Sequence, residues 1–143
     1  MASCKDECEA LMSSVLADAE RALTEQRSLQ PFGTTLSVSD QIVQVGSWGL
    51  EPGCSRAARI AEFQDSFRDG ARRGELKATL LLYSEPCVRP GSTERQDAVA
   101  VHLDHRDDYS IVVTFPYHFT SAGELVISEP FAIEGEHKIF ERA

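Results

Sequence analysis

The 143-residue sequence lacks the segments and motifs that define several large classes of protein. Its longest apolar run covers residues 78–83, whereas a membrane-spanning helix needs about 20 apolar residues. It contains no phosphate-binding loop, no G-x-G-x-x-G, no G-x-S-x-G and no H-E-x-x-H motif. These absences disfavour a membrane protein and the enzyme families that such motifs define. No cofactor is implied.

Basic residues are also scarce. The chain has 14 Lys and Arg against 23 Asp and Glu, for a formal charge of −9. Nucleic acids and anionic membranes bind clustered Lys and Arg, so neither is an expected partner, whereas a basic protein or a cationic ligand is compatible with this charge. The N-terminus lacks the charged-then-apolar order of a signal peptide, and the four cysteines do not have the spacing of a disulfide framework. Both features predict a cytoplasmic protein.

The apolar residues repeat with the periods of two helices and several strands. Helices are predicted over 3–29 and 55–73, the first with Ser3 and Asp6 as a capping box. Strands are predicted over 34–38, 41–45, 76–84, 98–104, 109–115 and 125–133. The order α-β-β-α-β-β-β-β predicts a single α+β domain over residues 1–143, with two helices packed on one face of a mostly antiparallel sheet of about six strands.

Two aromatic residues are candidate binding residues. Trp48 lies in the irregular connection 46–53, and Pro116 is predicted to end its strand and so to place Tyr117 at a rim of the sheet. Tyrosine and tryptophan combine a large apolar surface with one polar atom, which suits recognition. The alternative is that both side chains close the ends of the core.

His102 and Asp104 are candidate binding residues because strand alternation places them on one face, with His105 on the other. The pair has the composition of a general base and its orienting acid. The alternative is that it lies on the solvent-facing side of a strand. Cys87, in the predicted loop 86–93, is the most exposed thiol and a candidate nucleophile.

No metal site is predicted. Asp104, Asp107 and Asp108 surround a predicted turn, but the spacing lacks the glycine and the terminal glutamate of a calcium loop. Aspartates are common in turns because their side chains bond the nearby backbone. Cys4 and Cys8 fit the apolar stripe of the first helix better than they fit a zinc site.

The segment Pro31-Phe32-Gly33, the hairpin after it, and the stretch 97–106 with Phe115-Pro116-Tyr117 resemble a group of small uncharacterised bacterial α+β proteins. The likeness covers residues 25–119, although Ser39-Asp40 stands where the group has an Asp-Gly turn. The resemblance implies a bacterial, cytosolic protein and supplies no catalytic residues.

These observations support two hypotheses about function. The first is a non-catalytic cytosolic domain that binds another protein or forms a homodimer; in its specific version, the acidic domain masks a basic protein partner. The alternative is a small-ligand-binding protein or an enzyme with a pocket near His102, Asp104 and Cys87. A concave site lined by His102 and Asp104 and holding an ordered ligand would favour the second hypothesis, and open solvent around both side chains would count against it.

Overall fold

The computed structural model describes residues 3–26, 29–45, 55–88 and 91–140, which form two helices and seven strands. In chain order these are α1 (Cys4–Gln26), β1 (Phe32–Ser37), β2 (Ile42–Val45), α2 (Arg56–Arg72), β3 (Leu76–Val88), β4 (Arg95–His105), β5 (Tyr109–Phe119), β6 (Leu125–Ile127) and β7 (Phe131–Glu134). All strand pairs are antiparallel, in the order β2-β1-β3-β4-β5, and both β6 and β7 pair with β5. The predicted α+β class is therefore confirmed.

Helix α1 begins at a reciprocal cap and buries one stripe of side chains. The backbone N–H of Asp6 donates to Ser3 Oγ at 3.1 Å, and the backbone N–H of Ser3 donates to Asp6 Oδ2 at 3.3 Å, which confirms the predicted capping box. Buried apolar residues then recur every three or four positions, as one helix face requires. They include Cys8, Leu11, Val15, Ala19 and Leu23.

Helix α2 begins at Ser55, whose Oγ accepts the backbone N–H of Ala58 at 3.1 Å. Its buried face carries Phe63 and Phe67. The helix stops before Gly74, whose φ of +72° is the left-handed conformation that glycine adopts without strain. Neither α1 nor α2 combines the length and the apolar content of a membrane-spanning helix.

The two helices pack on opposite faces of the sheet. On the central strand β3, Leu80 and Leu82 belong to the core cluster of α1, whereas Leu81 between them belongs to the cluster of Phe63 and Phe67 in α2. Successive strand residues point to opposite faces, so the prediction that both helices cover one face is wrong. The physical reason is that β3 carries apolar residues on both faces, and each face needs its own cover. We call the two sides the α1 face and the α2 face.

Strands extend further than their predicted boundaries. β3 and β4 form one long hairpin that runs to Val88 and resumes at Arg95, so most of the predicted loop 86–93 that the structure describes is strand or turn. The predicted strand 125–133 is instead the two strands β6 and β7, which pair with different parts of β5.

Pro116 does not end β5, contrary to the prediction. The strand pairs with β7 as far as Thr114 and with β6 from Tyr117 onward, so Pro116 lies where the outer partner changes. At this position, no hydrogen bond to β6 or β7 needs the N–H that proline lacks. The carbonyl of Pro116 accepts the backbone N–H of Ser128 at 2.8 Å, which joins β5 to the chain after β6.

Candidate functional site

His102 and Asp104 lie on the α2 face of β4. In the antiparallel register, His102 stands opposite Leu81 and Asp104 stands opposite Thr79, both on β3. Leu81 packs in the cluster of Phe67, which assigns the face. His105 points the other way, as the alternation predicts, and its Nε2–H donates to Glu7 Oε1 on α1 at 2.9 Å.

A cavity of about 510 Å³ lies over this part of the sheet. Its floor is formed by β3, β4 and β5, one wall by α2, and the opposite wall by β7 and residues 135–140, which we call the C-terminal segment. His102, Asp104 and Cys87 all line it. The structure therefore places the three residues of the predicted pocket around one concave site.

The C-terminal segment is tied down at both ends of its path across the cavity. The backbone N–H of Gly135 donates to the Ser110 carbonyl at 3.0 Å, and the N–H of His137 donates to Ser110 Oγ at 3.3 Å. On the other side, Arg68 Nε of α2 donates to the Lys138 carbonyl at 2.8 Å, and Ile139 is buried against α2. These bonds fix the wall of the cavity to β5 and to α2.

Gly135 is required by the close approach of this segment to β5. A Cβ atom at that position would lie 2.1 Å from Ser110 Oγ and 3.1 Å from the backbone nitrogen of Ile111. Contacts that short are forbidden, so a side chain would push the segment off the strand.

His102 is held by stacking and is short of one hydrogen bond. Its ring lies parallel to that of Tyr83, with centroids 5.0 Å apart and an interplanar angle of 17°. Among the described residues, its Nε2 atom finds no hydrogen-bond partner and is shielded from solvent. Burial lowers the pKa of His102, the charge of Lys138 lowers it further, and Glu136 acts in the opposite direction. The ring is therefore neutral at neutral pH.

Asp104 is the most buried carboxyl group lining the cavity, with an exposed fraction of 9%. Burial raises its pKa, because the charged form loses hydration. A hydrogen bond from Ser110 and the positive charges of His137 and Lys138 act against that rise. The carboxyl thus sits where its ionised form is costly unless a cation or hydrogen-bond donor faces it.

His102 and Asp104 do not form the pair that general acid–base catalysis needs. In the described part of the chain, no hydrogen bond joins the two side chains. The imidazole ring of His102 instead stacks on the ring of Tyr83. A base and its orienting acid would be within hydrogen-bond reach of one another. The arrangement instead provides two separate polar points in the floor of one cavity.

The two aromatic candidates lie elsewhere. Tyr117 is on the α1 face with an exposed fraction of 8%, and its hydroxyl is 3.3 Å from Ser84 Oγ. It closes the end of the α1 core and does not stand at an open rim, because β5 continues past Pro116. Trp48 lies outside the described residues.

The candidate metal ligands remain dispersed. Within the ranges that the structure describes, no three side chains of His, Cys, Asp or Glu lie close enough together to hold a metal ion. Asp107 and Asp108 are exposed in the turn after β4, and the backbone N–H of Asp107 donates to His105 Nδ1 at 3.0 Å. This bond comes from the backbone of Asp107 and does not use its side chain.

Sequence reasoning missed the contribution of Ser110 and of the C-terminal segment. Ser110 holds both the Asp104 carboxyl and the backbone of residues 135 and 137, and no local pattern in the sequence marks it. The segment forms no helix or strand, so hydrophobic periodicity could not reveal it.

Comparisons of the chain with family models, with curated proteins and with solved structures returned no match. The resemblance based on Pro31-Phe32-Gly33 and on residues 97–106 therefore stays a prediction.

Proposed function

We propose that the protein binds a small organic ligand in the cavity on the α2 face. The observation that carries the proposal is the position of His102 and Asp104, two ionisable side chains withdrawn from bulk water, in the floor of one cavity. Cavities that hold drug-sized molecules have volumes of about 300 to 1,000 Å³, mostly apolar walls and a few polar groups. The volume of about 510 Å³ and the apolar side chains of Phe67, Leu81 and Ile139 fit that description.

The unpaired Nε2 atom of His102 supports a binding role. A buried polar atom without a partner costs about 1 to 3 kcal/mol relative to one that is hydrogen-bonded. Such atoms are uncommon in folded proteins, and those that persist call for an explanation such as a functional site. Because Nε2 is shielded from solvent, a ligand in the cavity would become its hydrogen-bond partner only if the ring turned toward the cavity.

The proposal covers binding alone. The register of β3 and β4 places Cys87 six residues along β3 from Leu81, the residue opposite His102, so the thiol and this imidazole are not adjacent. Activation of a nucleophile by a base needs the two groups within hydrogen-bond reach. The proposal is therefore a binding protein, with no reaction assigned.

The proposal is tested by screening an aromatic fragment library against the ¹⁵N-labelled protein by NMR. Binding in the cavity shifts amide signals of residues 79–87, 98–104 and 110–114. A variant that fills the cavity, Val112→Trp, should abolish these shifts, since Val112 lies opposite His102 on β5. The matched control is Val126→Trp, the same change at an exposed valine of β6.

Two results would contradict the proposal. One is a library in which no fragment shifts the signals of the α2 face. The other is binding confined to the second cavity, of about 330 Å³, which lies between α1 and β5 on the α1 face and is lined mainly by apolar side chains such as Leu16, Leu23 and Ile127.

A protein-binding domain that masks a basic partner, with a cytoplasmic location, stays a prediction. It rests on the formal charge of −9 and on no contact within the described structure. Analytical ultracentrifugation of the purified chain, alone and with a basic protein such as a histone, would test self-association and charge-driven binding together.

A further inference from the structure

We propose, resting on the ligand-binding function above, that the cavity on the α2 face takes an organic cation with N–H donors, such as an amine or an amidine attached to an apolar body. The inference joins three observations: the sign of the charge around the cavity, the buried carboxyl group in its floor, and the aromatic side chains that line the same cavity.

Carboxylates outnumber cations around the cavity. The charged residues on this face that line it are Glu85, Asp104, Glu136 and Lys138, whereas Glu134 stands opposite Ile111 and points to the α1 face. Lys138 Nζ lies 3.0 Å from Glu136 Oε2, so the one lysine is paired within the C-terminal segment itself. His102 is neutral and adds no positive charge. The potential inside the cavity is therefore negative, which attracts cations and repels carboxylate or phosphate ligands.

The carboxylates are spread over the cavity and do not converge on one point. Glu85 lies on β3, Asp104 on β4 and Glu136 in the C-terminal segment. A single hard metal ion would need several oxygens at one centre. An organic molecule that fills the cavity and carries one positive group matches this dispersed negative field and its single buried acceptor.

Asp104 is that acceptor. It is flanked across the strands by Thr79 and Ser110, and Ser110 is the hydrogen-bonding side chain that lowers its pKa. An ionised carboxylate can accept about four hydrogen bonds, so this contact leaves capacity for a ligand. An ammonium or amidinium group would offset the cost of burying the ionised carboxyl through charge-assisted hydrogen bonds, which are stronger than neutral ones.

Aromatic side chains line the same cavity as this carboxyl. The stacked rings of Tyr83 and His102 belong to the same face, and Phe131 lines the cavity from β7. Cations bind to the faces of tyrosine and phenylalanine rings, and flat apolar bodies stack on them. The cavity therefore offers both halves of such a ligand a matching surface.

The test uses benzamidine and two close analogues, benzamide and benzoate, which share the ring but are neutral and anionic. Affinities are measured by NMR titration of the ¹⁵N-labelled protein. Benzamidine should bind at the α2 face, with benzamide about tenfold weaker and benzoate weaker still. Raising the salt concentration from about 50 to about 500 mM should lower the affinity for benzamidine and leave the affinity for benzamide unchanged, because salt screens only the charged ligand.

Asp104→Asn should remove the preference for benzamidine over benzamide. The matched control is Asp97→Asn, an exposed residue of the same strand, which should keep it. Thermal unfolding of both variants checks that a loss of binding is not a loss of fold.

The outcomes separate this inference from the proposed function. If benzamide or benzoate binds in the cavity as tightly as benzamidine, or if Asp104→Asn keeps the preference, the cation assignment is overturned while ligand binding stands. If none of the three probes and no library fragment shifts signals of the α2 face, both proposals are overturned.

Discussion

Gly33 of β1 lies directly beneath Phe67 of α2: a Cβ atom at residue 33 would stand 2.7 Å from Cζ of that ring. The same atom would stand 3.0 Å from Cδ1 of Phe63. Because residue 33 has no side chain, both rings pack against the strand itself, and α2 sits close to the sheet. The neighbouring Phe32 points to the opposite face and is buried in the α1 core. One dipeptide thus fits both helices to the sheet.

Gly33→Ala should destabilise the protein by about 1 to 3 kcal/mol, the usual cost of overpacking a closed core. Urea denaturation followed by circular dichroism measures the change. The double variant Gly33→Ala/Phe67→Leu makes room for the new methyl group, so it should lose less stability than the sum of the two single variants. Simple additivity would mean that the ring and the glycine do not interact.

Asp104→Asn should change the pH dependence of stability. Burial raises the pKa of Asp104 above its ordinary value of 3.8, so the folded protein keeps this proton at pH values where the unfolded chain has released it. Stability from this group therefore falls as pH rises from the ordinary pKa of 3.8 through the raised pKa.

Relative to the wild-type protein, the Asp104→Asn variant should thus gain stability as pH rises from values below 3.8, where the carboxyl is protonated in both the folded and the unfolded chain. Urea midpoints measured across this range give the difference in unfolding free energy. Asp97→Asn is the control, and a difference that does not vary with pH would refute the assignment of a buried ionisable group.

Glu7→Gln should show the opposite sign. The hydrogen bond from His105 is the main cause that lowers the pKa of Glu7, and Lys77, with Nζ 3.4 Å from Glu7 Oε2, adds to it, while burial acts against the shift. A carboxyl with a lowered pKa stabilises the fold above its ordinary value of 4.5, and this contribution is lost as pH falls through the lowered pKa.

We expect Glu7→Gln to cost about 1 kcal/mol at neutral pH and much less in acid, since the amide keeps an acceptor but loses the charge. The exposed Glu9 on the same helix provides the control variant Glu9→Gln. Equal losses for the two variants at neutral pH would show that the bond to His105 contributes little.

Cys8 should be inert in the native protein. Burial in the α1 core is the main cause that raises its pKa to about 12, so at about pH 8 only about one thiol in 10,000 is ionised. Iodoacetamide followed by peptide mass spectrometry should modify the half-buried Cys87 well before Cys8, and unfolding in guanidinium should remove that difference. Similar native rates at the two residues would be inconsistent with the packing of α1.

Local pattern predicted a large part of this fold. The stripe from Cys8 to Leu23, the Ser3–Asp6 cap and the alternation along β4 each depend on residues a few positions apart, so they can be read from the chain directly. The α+β class followed from the order of these elements. The alternation also placed His102 and Asp104 on one face, with His105 on the other.

Two of the wrong predictions share a cause. The apolar run 78–83 is typical of a strand that is buried on both faces. It therefore indicated that the second face of the sheet also needs a cover, which α2 provides. Which helix covers which face is set by contacts between distant residues such as Gly33 and Phe67. The continuation of β5 through Pro116 likewise depends on distant residues. β7 pairs with β5 before Pro116, and β6 pairs with it after Pro116.

The type and order of most helices and strands, and the face to which their side chains point, could therefore be predicted from the chain alone. Both follow from short-range backbone geometry. Only the tertiary structure decided that His102, Asp104 and Cys87 line one cavity, since its walls come from α2 and from the C-terminal segment that Ser110 and Arg68 hold in place. Those contacts join residues far apart in the chain. They form only when the helix, the sheet and the C-terminal segment pack together, so no local sequence pattern reveals them.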